Sequence, residues 1–152
     1  MNEKELKKLK RDLKRYRETS ELAELYERES KEIESRVMGA SAQKISDMPK
    51  GGHGKTMDEM LAEKADLDRA AEDSRKLAEQ RKEEIRARIN RVTSPRHNRL
   101  LWKHYINGKS VEEIADEEGY STRQEWRIYK EAHELLLKSE SDLMNSDSTM
   151  SA

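Results

Sequence analysis

From Leu6 onward, apolar or small residues recur at steps of three and four: Leu6, Leu9, Leu13, Tyr16, Ser20, Ala23, Tyr26, Ser30, Ile33 and Val37. Such spacing keeps one stripe on one side of an α-helix, so it predicts a single long helix over residues 1–38. A second series, Met57, Met60, Lys64, Leu67, Ala71, Ser74, Ala78, Arg81, Ile85, Ile89 and Val92, predicts another over 57–93, with Lys64 and Arg81 interrupting the stripe. At 1.5 Å per residue each helix is roughly 50 Å long, and equal length lets an antiparallel hairpin bury each stripe against the other. Residues 39–56 between them have no period and carry glycines, serines and Pro49, which predicts a flexible loop.

After residue 93 the pattern changes to short segments with their own start and stop signals. Pro95 suits the first turn of a helix, Ser94 stands where a cap would, and Asn107-Gly108 ends that helix. Ser110 followed by Glu113 forms a capping box, so a second helix of about two turns starts at Val111. Gly119 closes it in the left-handed conformation, and Ser121 with Gln124 repeats the capping pattern for a third helix running to about Lys138. A short helix, a tight glycine turn and a longer helix, within 94–138, make the order of a helix-turn-helix, whose second helix lies in the major groove of DNA. The tail 139–152, rich in Ser, Asp, Asn and Met, is expected to be disordered.

Leu101, Tyr105, Gly108, Ser110, Glu113-Ile114-Ala115, Gly119-Tyr120-Ser121, Ile128 and Ala132 form a pattern that resembles region 4 of bacterial sigma-70 factors. It resembles more closely the small phage proteins of Gram-positive hosts that regulate late-gene or packaging-lysis transcription. Ser46-Asp47-Met48-Pro49 and the glycines after it extend that likeness upstream, to roughly two thirds of the chain. With the two long helices, the expected fold is all-α, a helical hairpin followed by the helix-turn-helix, and the resemblance implies that the start of the third helix, here Thr122, Arg123, Trp126 and Arg127, faces the bases. Recognition is expected to combine Thr122, Arg123, Gln124 and Arg127 toward bases with Arg96, Arg99, Lys103 and Lys109 toward phosphates. Glu118 and Glu125 depart from the pattern, standing where an aliphatic residue is usual. A buried unpaired carboxylate costs several kcal/mol. Two arrangements follow: a rotated third helix with Trp126 turned inward, or both carboxylates reaching water at the margin.

Composition narrows the class further. With 41% charged and 33% hydrophobic residues and no Phe in 152 residues, one large core is out of reach, and extended helices are the alternative. Trp102, Tyr105 and Tyr120 are therefore expected in the small core, while Trp126 is divided between core and groove. The absence of cysteine excludes disulfides and thiolate metal sites. No apolar run approaches membrane length, and the charged N-terminal helix is unlike a signal sequence, so the expectation is a soluble protein of the bacterial cytoplasm.

The net charge of −1 conceals a segregated chain. Residues 1–17 carry eight Lys/Arg against three acids and residues 75–103 ten against three, whereas 18–36 and 58–73 each carry seven acids against three and two bases. An antiparallel hairpin puts like with like, basic beside the helix-turn-helix and acidic at the loop end. Residues 95–138 are balanced, eight bases to eight acids, and lack the basic excess that gives phosphate affinity.

Catalytic signatures fail on spacing. Gly54-Lys55-Thr56 looks like the end of a phosphate-binding loop, but Pro49 stands where its first glycine belongs. His53, His97, His104 and His133 are scattered, with no carboxylate at ligand spacing, so neither metal nor cofactor is expected. Double-stranded DNA is the expected partner, in transcriptional regulation without a catalytic step. Host RNA polymerase and a second copy through the hairpin are left open as further partners. The alternative is a helical adaptor that keeps the fold but binds RNA polymerase or another protein without reading DNA.

Overall fold

The computed structural model describes residues 2–42 and 56–150, and among these every regular element is helical. Helix α1 runs Glu3–Ala42 and α2 Met57–Ile89; α3, Pro95–Leu101, passes directly into a π-helical stretch, Trp102–Ile106; α4 is Val111–Glu118 and α5 Thr122–Met150. Most of the expected loop, with the Ser46-Asp47-Met48-Pro49 segment, His53, Gly54 and Lys55, lies outside the described residues. Residues 39–42, expected in that loop, continue α1. The chain divides into two compact units, residues 19–77 and residues 1–18 with 78–152.

In the unit formed by 19–77, α1 and α2 run antiparallel, as the two stripes predict. Ala23, Ser30, Ile33 and Ala71 are buried in the seam. Across it the Arg75 guanidinium donates to both oxygens of Glu27 at 2.8 and 2.9 Å, and the Ser30 hydroxyl donates to Asp68. Lys64, which breaks the apolar series, lies 2.8 Å from the same Asp68 and turns the interruption into a polar layer. Helix α2 starts with a reciprocal capping box: the Glu59 N–H donates to the Thr56 hydroxyl (3.1 Å) and the Thr56 N–H to the Glu59 carboxylate (3.3 Å).

The other unit holds the larger core. Leu9 and Leu13 of α1, Ile85 and Ile89 of α2, Val92, Leu100, Leu101, Tyr105 and Ile106, and Ala132 and Leu136 of α5 form one buried cluster. α1 and α2 are antiparallel here too, with Arg88 reaching Asp12 and Lys82 lying over the Tyr16 ring. α2 stops at Ile89, short of the expected 93, because the chain turns to bury Val92, and the Asn98 side-chain amide donates to the carbonyls of Ile89 and Val92, both at 3.1 Å. The Ile89 carbonyl also accepts the Val92 N–H at 2.9 Å, so the turn that ends α2 is fixed from both sides.

The capping signals divide. Ser94 holds the N-cap position of α3 without capping it; its hydroxyl meets His97 Nδ1 at 2.6 Å instead. Ser110 accepts the Glu113 N–H at 3.1 Å, the hydroxyl half of the expected box. At Ser121 the box is complete, the Gln124 N–H donating to the hydroxyl and the Ser121 N–H to the Gln124 side chain, each at 3.2 Å. Ser121→Ala should therefore lower the urea midpoint by the equivalent of about 1 kcal/mol with an unchanged slope; a midpoint equal to wild type would mean that this box adds nothing to α5.

Gly108 follows the π-helical stretch and Gly119 closes α4, with φ of 73° and 74°. At Gly108 a second constraint applies, since a Cβ there would lie 2.6 Å from the Arg17 guanidinium carbon. The disorder expected from Ser139 is corrected: α5 continues to Met150. Leu137 packs against the core, the Ser139 hydroxyl donates to the Leu136 carbonyl at 2.7 Å, and Arg88 donates to Glu140 at 2.6 Å, so tertiary contacts hold turns that composition alone would leave frayed.

Candidate nucleic-acid interface

α3 with its π-helical extension, α4 and α5 pack as a tri-helical module. Val111, Ile114 and Ala115 bury the inner side of α4, and Ala132 and Leu136 that of α5. The π-helical stretch ends where the Asn107 N–H meets the Trp102 carbonyl five residues back, at 3.1 Å, and within it Tyr105 and Ile106 are both buried. α4, the left-handed turn at Gly119 and α5 then form the helix-turn-helix.

Its first exposed side is the start of α5. Thr122, Arg123, Gln124, Trp126 and Arg127, the candidate base-facing residues, are all exposed. Among the described residues neither Arg123 nor Arg127 meets a carboxylate; Glu131, one turn from Arg127, instead accepts from His97 Nε2 at 2.9 Å. Trp126 is 46% exposed and meets Tyr129 edge to face at 5.0 Å between centroids, so it is not turned into the core.

Arg96, Arg99, Lys103 and Lys109, the candidate phosphate contacts, are paired with carboxylates within the module. Arg99 donates to both oxygens of Glu118 at 3.1 and 3.3 Å, Lys103 reaches Glu117 at 2.9 Å and Glu118 at 3.2 Å, and Lys109 pairs with Glu117. These cations hold the Glu117 and Glu118 carboxyls below the usual range, in each case chiefly by the side-chain hydrogen bonds. Arg96 pairs with Glu125, whose side chain is fully buried, and its guanidinium lies 4.8 Å from the centre of the Tyr120 ring. Neither arrangement left open for the two carboxylates describes Glu125: the helix keeps Trp126 outside, and Glu125 is buried against a guanidinium rather than wetted. Glu118 stands between, its side chain 14% exposed within the cationic cluster. Tyr120, expected in the core, is 49% exposed and covers Arg96 instead.

Behind Trp126 the aromatic rows run inward. His104 and Tyr105 come from the π-helical stretch, Tyr129 and His133 from α5. His104 Nδ1 donates to the Lys109 carbonyl at 2.8 Å. His133 Nδ1 donates to the Tyr129 carbonyl at 2.6 Å, and its Nε2 accepts from the buried Tyr105 hydroxyl. Burial pushes His133 down to about 4, Lys10 and His104 adding in the same sense against the opposing hydrogen bond. The Tyr105 phenol is pushed far above its ordinary range, again mainly by burial.

The fold and this surface define an all-helical protein bearing a tri-helical helix-turn-helix, on which Arg123 and Arg127 are exposed and meet no carboxylate among the described residues. Residues 38–137 match the family described as Protein of unknown function (DUF1492), and the chain belongs to that family. No curated protein and no solved structure matches it. Among the described residues no helix is long and apolar enough to cross a membrane.

Proposed function

We propose that this protein binds double-stranded DNA through the start of α5 and regulates transcription, in the manner of the sigma region 4-like phage regulators that its sequence resembles, without a catalytic step of its own. The observation that carries the reading is the exposed, uncompensated pair Arg123 and Arg127, four residues apart on a helix that follows a tight left-handed turn. A guanidinium in that position makes bidentate hydrogen bonds to guanine O6 and N7. Thr122 and Gln124 add short polar side chains at the same end, and Trp126 adds an apolar edge suited to a thymine methyl. Late-gene promoters of a phage growing in a bacterial cytoplasm are the proposed setting, with host RNA polymerase as a further partner and a second copy joined through the α1–α2 pair.

Mobility shift on duplexes from the operon that encodes the protein tests the reading. Arg123→Ala and Arg127→Ala should each weaken binding to the cognate duplex by about 1–3 kcal/mol while leaving the helical circular dichroism unchanged. Equal affinity of both variants and wild type removes α5 as the reading helix.

A second reading is favoured by one specific observation: Arg96, Arg99, Lys103 and Lys109 are all engaged by Glu117, Glu118 or Glu125. A module with its first cations neutralised internally suits an adaptor that binds RNA polymerase or a packaging component. Retention of the protein on polymerase together with no shift of any duplex at low salt selects that reading.

A further inference from the structure

We propose that the phosphate clamp of this protein is the lysine row Lys7, Lys10 and Lys14 of α1, taking the place of the α3-side cations, so that the DNA backbone runs from the start of α5 across α1. The proposal rests on the DNA-binding reading above and names the groups that supply its electrostatic affinity. Three observations point to it. First, the cations that the helix-turn-helix itself offers on its α3 side are committed to carboxylates: Lys103 and Lys109 share Glu117, and Arg99 holds Glu118 with both donors. A phosphate arriving there would have to displace a carboxylate already in place, and little counterion would be released.

Second, Lys7, Lys10 and Lys14 have no such partner among the described residues. Asp12, the nearby acid of α1, lies 3.6 Å from Arg15 and 3.7 Å from Arg88. At i, i+3 and i+7 the three lysines share one side of α1 over a rise of about 10 Å, flanking the side that buries Leu9 and Leu13. Lys7 and Lys14 are exposed and Lys10 half-buried.

Third, the row is attached to the proposed reading surface. The Lys10 ammonium lies 5.2 Å from the centre of the Tyr129 ring, and that ring meets Trp126 edge to face at 5.0 Å. Trp126 and Tyr129 lie three residues apart, about one turn of α5, so the cationic strip passes from Arg123 and Arg127, over Trp126 and Tyr129, to Lys10 and its neighbours, and among the described residues no carboxylate pairs with any of these cations. Duplex DNA carries one negative charge per about 1.7 Å of its axis, which gives a row of this length enough phosphates to neutralise each lysine.

The test is the salt dependence of binding to a random-sequence duplex of about 30 base pairs, which reads phosphate contacts irrespective of operator, measured by fluorescence anisotropy from 50 to 200 mM salt. Each lost contact removes about 0.9 from the log–log slope, so Lys7→Gln/Lys10→Gln/Lys14→Gln should lower it by about 2.7, and wild type should lose roughly 40-fold more affinity than the variant over that range. Lys103→Gln/Lys109→Gln should stay within about one unit of the wild-type slope. Circular dichroism of both variants should match wild type, since none of the substituted lysines belongs to the buried cluster. The inference is overturned if the triple variant keeps the wild-type slope, or if the Lys103/Lys109 variant loses as much as the triple. Wild-type protein that binds no duplex even at 50 mM salt overturns the DNA-binding reading itself, and is recognised by the absence of any slope to compare.

Discussion

Replacing Arg96 with methionine is expected to destabilise the protein by about 3–5 kcal/mol, because the change leaves the Glu125 carboxylate buried and uncompensated. Glu125 is 0% exposed, one of its oxygens has no hydrogen-bond partner, and the other is held by Arg96. Arg96 also approaches Glu118 at 3.9 Å and lies against Tyr120, so its loss loosens α3 from both α4 and α5. The double variant Arg96→Met/Glu125→Leu is expected to recover most of the loss, since a buried pair replaced as a whole by apolar side chains is often neutral or better. Urea denaturation of the two variants beside wild type measures this. A single variant within about 1 kcal/mol of wild type would show that water reaches Glu125 when the guanidinium is gone. The pair would then fix the angle between α3 and α5 without bearing on stability.

The second large effect is expected on lowering the pH. The His133 imidazole is 1% exposed and held at about 4, against 6.5 for a free side chain. Between those values the unfolded chain carries a proton there and the folded chain does not, so unfolding takes up a proton and stability rises with pH. The contribution is complete above about 6.5 and is lost as pH falls toward 4, to the extent of about 3 kcal/mol, from roughly 1.4 kcal/mol per unit of displacement. His104, also lowered chiefly by burial, adds in the same direction. His133→Gln removes the titrating ring while keeping a donor and an acceptor for the Tyr129 carbonyl and the Tyr105 hydroxyl. Its deficit relative to wild type should shrink steadily from pH 7 to pH 4. Parallel stability curves for the two proteins over that interval would show that the folded protein protonates His133 without opening the core.

The elements were legible wherever the reason for them is local. The seam positions Leu9, Leu13, Ala23, Ser30 and Ile33 of α1, and Ala71, Ala78, Ile85 and Ile89 of α2, are buried as their period requires. Gly108, Gly119 and the Ser121–Gln124 box mark helix ends by the conformations and donors that those residues alone supply. The exposure of Thr122, Arg123, Gln124 and Arg127 follows from the same periodicity, because Glu125, Ala132 and Leu136 on the opposite side of α5 are buried. What escaped was decided by partners distant in the chain. The Asn98 amide that closes α2, the contact of Glu140 with Arg88 that extends α5, and the His133–Tyr105 bond join residues from 6 to 52 positions apart, and no local signal marks one half of such a pair.

By itself the sequence determined that this protein is helical, where its helices begin, which stripe of each one is buried, and that its charge is sorted into acidic and basic blocks. Those properties depend on period, on caps and on the count of ionisable groups, all of which are written along the chain. Only the tertiary structure decided which charges are available to a partner. Arg96, Arg99, Lys103 and Lys109 are indistinguishable in sequence from Arg123, Arg127 and Lys10, yet the first four are engaged by Glu117, Glu118 and Glu125, and among the described residues the others meet no carboxylate. The reason is that a charge pairs through space, at distances of a few ångströms. The packing of α3, α4 and α5, rather than the order of residues within any of them, brings those carboxylates to those cations.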